Sequence, residues 1–364
     1  MRKICAVTCL LILSQSLQAQ FRKYSNEFLN IGAGARALGM GGANIASVKG
    51  STAGYWNPSR LTSVQDNPNL SLMHTEYFSG IGKYDYASIA MPVNDNKRTI
   101  GVSIMRFAVD DIPNTLYLVE PDGSVNYNNI ETFSSADYAM LLSMAQKIKE
   151  TDDYSLSVGG NVKVIYRQVG SFAKAWGFGL DAGIHYRKND LQLGAVLRDM
   201  TTTFNAWSFT FTEKEKQVLY LTKNDIPEQS TELTAPRLLL GGSYDFHFGE
   251  NLDLSAEAML ETTFDGKRNT LLRTDFASID PRFGIEIGYR NLLFVRAGIS
   301  NFQQALNDGD LTNQKKVWIY QPALGAGFKV KSVQIDYAFT NLANQNSPLY
   351  THVFSLSFDL KKKG

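Results

Sequence analysis

The chain has 364 residues, with 36 Lys and Arg against 35 Asp and Glu, a formal net charge of +1. That balance excludes the basic surface a nucleic-acid-binding protein needs. Both cysteines, Cys5 and Cys9, lie in the first ten residues, so disulfides, cysteine–metal sites and thiol chemistry are excluded from the rest of the chain.

The N-terminus sets the expected compartment. Met1-Arg2-Lys3 is positive, Ile4 to Leu13 is apolar, and Leu17-Gln18-Ala19 supplies small residues at a cleavage position. Residues 1–19 thus have the layout of a signal peptide, cut after Ala19. Later in the chain no run approaches the ~18 apolar residues that a membrane-spanning helix requires.

Residues 20–68 follow no strand period. Phe28 to Ala43 is rich in Gly and Ala, and Tyr55-Trp56-Asn57-Pro58-Ser59-Arg60-Leu61 ends the region. Glycines permit close backbone approach, Pro58 interrupts a helix, and Asn57 can bond its own turn. The segment is expected to be a compact plug.

From residue 69 to 364 the pattern changes to strict alternation. Tyr154 to Arg167 sets Tyr154, Leu156, Val158, Val162, Val164 and Tyr166 on one face against Ser155, Ser157, Asn161, Lys163 and Arg167 on the other. Such a period-2 pattern is that of strands with one apolar and one polar face. Fourteen are expected: 69–77, 83–92, 98–108, 135–148, 154–167, 175–187, 191–200, 236–248, 251–262, 282–290, 292–300, 320–330, 332–340 and 350–360.

A β-sandwich and a membrane barrel compete for this pattern, and three features favour the barrel. Tyr154 and Tyr166 are separated by roughly 40 Å of strand at ~3.3 Å per residue. Tilted by ~35–45°, that span reaches two interfacial girdles around a ~25 Å apolar band. Next, the polar faces carry Gly and the charges Asp181, Arg198, Asp245, Glu257, Glu286, Arg290, Arg296 and Asp336, which suits a lumen. Finally, the connections sort by length. Tight turns such as Lys188-Asn189-Asp190 and Gly249-Glu250 lie at one end, and the long segments 109–134, 201–235, 263–281 and 301–319 lie at the other. An even strand number with turns so sorted is the build of an outer-membrane barrel. The expected fold is an all-β transmembrane barrel of fourteen antiparallel strands. Its N- and C-termini are expected on the periplasmic side with the tight turns, its long loops outside, and outer-membrane lipid around its wall. The tail Lys361 to Lys363 departs from the aromatic ending usual in such barrels.

Sharper chemical readings fail. Gly32-x-Gly34 has no third glycine and follows no βαβ strand. In Lys49-Gly50-Ser51-Thr52 the lysine and glycine are in the wrong order for a phosphate loop. His74, His185, His247 and His352 lie on separate strands without metal-ligand spacing. No enzymatic activity, metal or cofactor is expected.

The segment Gly34-Ala35-Arg36-Ala37-Leu38-Gly39-Met40-Gly41-Gly42-Ala43, followed by Ala53-Gly54-Tyr55-Trp56-Asn57-Pro58, resembles the N-terminal signature of FadL-type barrels and their PorV/PorQ relatives. The preceding Tyr24 to Ile31 run is closer to the PorV/PorQ branch, while Ser59 stands where that family usually has Ala. The resemblance implies a hatch inside a fourteen-stranded barrel, with Gly34, Arg36, Gly39, Gly41, Gly42, Trp56, Asn57 and Pro58 as its motif. It also implies a part in type IX protein secretion, with secreted cargo proteins or secretion-system and attachment components as partners. Apart from the resemblance, the loop containing Trp207, Phe209 and Phe211 presents aromatics suited to partner binding, unless 204–211 merely extends strands past the membrane. The alternative is a FadL-like channel for hydrophobic small molecules, which requires an apolar pocket in the barrel and a lateral opening where a strand kinks. A passive porin is disfavoured by the plug.

Overall fold

A computed structural model describes residues 25–77, 80–93, 96–120, 122–227, 229–306, 315–341 and 350–360. The expected signal peptide and the lysine tail Lys361 to Lys363 lie outside the described residues. The described chain forms a closed antiparallel barrel. Its strands in chain order are β1 (Asn69–Tyr77), β2 (Gly82–Val93), β3 (Arg98–Asn114), β4 (Glu131–Glu150), β5 (Tyr154–Val169), β6 (Ala173–Lys188), β7 (Leu191–Arg198), β8 (Thr203–Phe209), β9 (Gln229–Thr234), β10 (Arg237–Phe248), β11 (Leu252–Thr263), β12 (Leu272–Arg273), β13 (Ser278–Tyr289), β14 (Leu293–Leu306), β15 (Lys316–Val330), β16 (Val333–Thr340) and β17 (Thr351–Asp359). The ring is closed by β1, which pairs with β2 on one side and with β17 on the other, from Asn69 opposite Asp359 to Glu76 opposite His352. Closure leaves no edge strand to aggregate.

Fourteen staves make the ring. Here β7 and β8 are two halves of one stave, β9 and β10 two halves of the next, and β12 is a two-residue strand beside β13. All fourteen expected strands are present. Several run further at the long-loop end than alternation alone indicates, β3 to Asn114 and β14 to Leu306 among them.

The outward positions make a continuous apolar wall. Ile104, Leu142, Val162, Phe178, Leu193, Leu240, Phe283, Val295, Leu324 and Phe354 are all exposed. So broad an apolar surface is at home only in lipid. Aromatic residues bound it. Tyr138, Tyr166 and Trp176 stand side by side on β4, β5 and β6, with ring centroids 6.2 and 4.8 Å apart, at the long-loop end. At the tight-turn end Tyr154 meets Tyr186 at 6.1 Å. These are the two girdles that the spacing of Tyr154 and Tyr166 indicates.

Of the charges expected inside, Asp181, Arg198, Glu257, Glu286, Arg296 and Asp336 are buried. Asp245 is half-buried and accepts from Gln192 Nε2 at 3.0 Å. Arg290 is a correction. The strand ends at Tyr289, and Arg290 adopts a left-handed backbone (φ +53°) in the turn. Its side chain is exposed there and bonds Asn251 Oδ1 at 3.0 Å.

Candidate functional site: the luminal hatch and the outer mouth

Residues 25–68 occupy the lumen, and their contacts run around the ring. Ala35 N donates to Ser355 Oγ of β17 (3.0 Å), Asn161 Nδ2 of β5 donates to the Gly54 carbonyl (2.9 Å), and Arg198 of β7 donates to the Tyr55 carbonyl (3.2 Å). The inward glycines make room for this segment. A Cβ on Gly159 would lie 2.6 Å from the Pro58 carbonyl carbon, and one on Gly284 would lie 2.5 Å from the Met40 oxygen. Real side chains never approach backbone so closely, so wall and hatch fit only because both are stripped to backbone there.

The motif residues have identifiable structural tasks. Gly39, in the short helix Ala35–Gly39, packs its backbone on Gly325 of β15. Gly41 requires its glycine twice over: its φ is +65°, and a Cβ would lie 2.7 Å from the Ile299 nitrogen. Gly34 and Gly42 are also in the left-handed region. Trp56 is fully buried and donates its indole N–H to the Ala33 carbonyl at 2.7 Å, tying the two ends of the motif together. Asn57 donates to the Ile45 carbonyl (3.0 Å), while its Oδ1 accepts from the Ser59 backbone N–H (3.2 Å) and caps the 3-10 turn Pro58–Ser63. Pro58 is the first residue of that turn, where no N–H is needed.

Arg36 is the electrostatic latch. Its guanidinium donates to both oxygens of Glu286 on β13, at 3.0 and 2.9 Å, and to Asn44 Oδ1 at 2.6 Å. Glu286 also bonds Arg296, which continues to Asp336 at 2.8 Å. Arg36, Glu286, Arg296 and Asp336 thus form an alternating buried chain from hatch to wall, each charge facing its opposite as burial demands. Glu257 adds a second attachment by accepting from the Ala46 and Ser47 backbone N–H groups at 2.8 and 3.0 Å.

A further network surrounds a break in the wall that alternation did not reveal. Opposite β6, Leu197 pairs with Ala182 and Phe204 with Phe178, so the β7/β8 stave carries three extra residues. The neighbouring stave is interrupted at the same level by Ala235-Pro236, between β9 and β10. Asp199 turns inward at the break and accepts from Lys163, which also pairs with Asp181 at 2.9 Å. Arg237, Glu261 and Arg282 extend the ladder, at 3.1 and 2.6 Å. The nearest sequence signal is the run Thr201-Thr202-Thr203 after Asp199, beyond which alternation resumes.

Trp207, Phe209 and Phe211 are placed differently from the partner-binding loop expected of them. Trp207 and Phe209 lie on β8, on the same face as the buried Thr203 and Asn205, so they point to the inside of the mouth. They continue through Phe211 to Phe172 as a ladder of stacked rings 6.0–6.4 Å apart. Arg167 lies 5.1 Å over Trp207, with Phe28 on another side at 6.0 Å. The reason is pairing: β8 bonds to β6 and β9, which fixes its inward and outward sides.

The N-terminal end of the hatch is a second correction. Asn26 donates to Thr234 Oγ1 of β9 (2.9 Å) and accepts from Asn205 of β8 (2.8 Å), both in the long-loop half. The chain then descends the lumen, reaching Asn69 at the tight-turn end through the Ser51 N–H at 2.8 Å. Only the C-terminal end of the described chain lies with the tight turns, where the Leu360 N–H meets the Pro68 carbonyl. The polar Ser25 and Asn26 find inward-facing partners at the mouth, which draws the segment up the lumen.

No protein-family model matches this chain, and no curated protein matches its sequence. Its fold is shared with several solved hydrocarbon transporters and channels. It is similar to the Ralstonia pickettii toluene transporter TbuX (14% identity, 90% of this chain and 98% of that one, TM-score 0.54). It is also similar to the CymD monoaromatic hydrocarbon channel (14%, 90% and 97%, TM-score 0.53) and to the Pseudomonas putida toluene transporter TodX (13%, 91% and 99%, TM-score 0.52). At such identities the likeness is one of fold.

Proposed function

We propose that the chain is an outer-membrane barrel, closed by its hatch, that works as an interaction component of type IX protein secretion through its outer loops. The observation that carries this reading is a set of bare aromatics on three separate loops at one end. Tyr127, Tyr220 and Phe276 are 73, 78 and 77% exposed. Tyr220 belongs to the helix Glu213–Leu221, which opens with a full capping box at Thr212 and Glu215. Lys214 of that helix sits 4.3 Å over the Tyr117 ring, joining two of the loops into one surface. Large exposed aromatics on a loop surface suit a protein partner. The resemblance of residues 24–61 to the PorV/PorQ signature supports the same reading and supplies the secretion context.

A second reading is a channel for hydrophobic small molecules. The structural neighbours favour it over the first, since those proteins are hydrocarbon transporters and channels. The paired break at 199–202 and 235–236 and the aromatic ladder at the mouth add to it. Against it, the break is lined by Lys163, Asp181, Asp199 and Arg237, and the chamber beside Arg36, Arg60 and Glu286 inside the barrel is polar.

One pair of measurements separates the two. Deleting the gene and assaying secreted proteins at the cell surface, with rescue by wild type but not by a chain whose residues 211–227 are replaced by a short Gly-Ser linker, supports partner docking. Normal secretion combined with lost uptake of toluene-like compounds overturns it in favour of the channel. The replacement starts after Thr210 because Thr203–Phe209 is part of the wall.

A further inference from the structure

Beneath the hatch, at the tight-turn end, lies a chamber of about 590 Å³. That volume falls within the ~300–1,000 Å³ of small-molecule sites. Seven Lys or Arg side chains line it against four carboxylates. All four carboxylates are already engaged. Glu286 holds Arg36 and Arg296, Asp336 holds Arg296, Glu150 holds Lys147, and Asp359 accepts from Asn69.

Four cations are left over. Among the described residues, Lys49, Arg60, Arg187 and Lys329 have no carboxylate within ion-pair distance. Arg60 and Arg187 each spend Nε on a backbone carbonyl, of Val48 and Asn189, both at 3.0 Å. Their terminal nitrogens have no protein partner among the described residues. His185, 2% exposed, also lines the chamber, and its Nε2 has no hydrogen-bond partner. Unneutralised cations around a chamber in a low-dielectric wall concentrate anions, and free guanidinium forks match phosphate oxygens.

We propose that this chamber is a binding site for a small phosphate-class anion, held by Arg60 and Arg187 with Lys49 and Lys329 completing the charge and His185 Nε2 supplying a further hydrogen bond. The ligand would be a free inorganic phosphate or a small phosphate ester. Lipid headgroups are excluded by the closed wall between chamber and bilayer.

The test is isothermal titration of the purified full chain, in a neutral detergent at low ionic strength, with inorganic phosphate and separately with a hexose phosphate. Saturable one-site binding of either probe is expected, tighter for the class that fills the site in the cell. It should weaken at least tenfold in the Lys49→Gln, Arg187→Gln double variant and stay unchanged in Lys149→Gln, which alters an exposed lysine near the end of β4, outside the chamber. Both substituted side chains are exposed, and heat-modifiable gel mobility verifies that each variant is a folded barrel. Absence of saturable binding of both probes, or equal binding by wild type and the double variant, overturns the proposal.

Discussion

Glu286→Ala tests the claim that the hatch is latched electrostatically. In the closed state the substitution leaves Arg36 facing Arg296 with no carboxylate between them; their side chains are 15% and 0% exposed. Removing one partner of a buried pair costs about 3–5 kcal/mol. The lower end applies here, because Arg36 keeps Asn44 and Arg296 keeps Asp336. When the hatch is displaced, Arg36 returns to water, so most of that penalty favours the displaced state. At 1.4 kcal/mol per tenfold, about 3 kcal/mol raises the unlatched fraction roughly a hundredfold. Single-channel recording in planar bilayers is the direct assay. Wild type should be silent, Glu286→Ala should show frequent openings, and Glu286→Asp should fall between them. A Glu286→Ala barrel that is folded by heat-modifiable mobility yet as silent as wild type would refute the latch.

Other substitutions probe the hatch seat, the lipid-facing wall and an outer loop. Gly159→Val puts methyl groups where Pro58 and Ser59 run, so the hatch should fail to seat, read as protease cleavage within residues 30–60 while the barrel itself resists. Ile104→Arg on the exposed outer face of β3 should destabilise the barrel by about 2–4 kcal/mol if it lies at the bilayer midplane; urea unfolding in lipid vesicles measures this, and a change below 0.5 kcal/mol (about the scatter of a surface substitution) would place that face outside lipid. In the loop before β4, Glu120 accepts from Asn129 and Asn126 at 2.8 and 3.0 Å, and those bonds hold its carboxyl below the ordinary range. A lowered folded value means the contribution is fully present above the unfolded value of about 4.3 and is lost as pH falls through the folded one. Amide exchange of residues 115–130 should therefore be slow and flat from pH 7 to 5, once corrected for intrinsic rates, and lose protection below about pH 4; Glu120→Gln should remove the dependence.

The wall was legible because a barrel imposes a local code. Residue 158 must face lipid and residue 161 the lumen whatever else the chain does, so alternation reads directly as architecture. The hatch was legible for the opposite reason: Gly34 to Ala43 cannot be a strand or a long helix, and its backbone at Met40 and Gly41 lies against the wall glycines 284 and 298. Relationships between distant segments were not legible. Nothing near Arg36 points to Glu286, and nothing near Lys163 points to Asp199, because cross-lumen pairing depends on the register of staves far apart in sequence. The break at residues 199–202 hid for a related reason. Three extra residues end the alternation just as a loop would; the renewed alternation over 204–211 left a strand extension and a loop both open, and pairing with β6 decides for the strand from Thr203 to Phe209. That same pairing turns Trp207 and Phe209 inward. The direction of the N-terminal segment rested on Asn26 meeting Asn205 and Thr234, contacts with no local signature.

We propose that the closed barrel works through its outer loops on protein partners. This is tested most directly by purifying the tagged chain from its native membrane in mild detergent and identifying what accompanies it by mass spectrometry. Stoichiometric recovery of a secreted or surface-attached protein is expected, lost when residues 211–227 are replaced. A barrel recovered free of protein and carrying a bound hydrocarbon or fatty acid would contradict it.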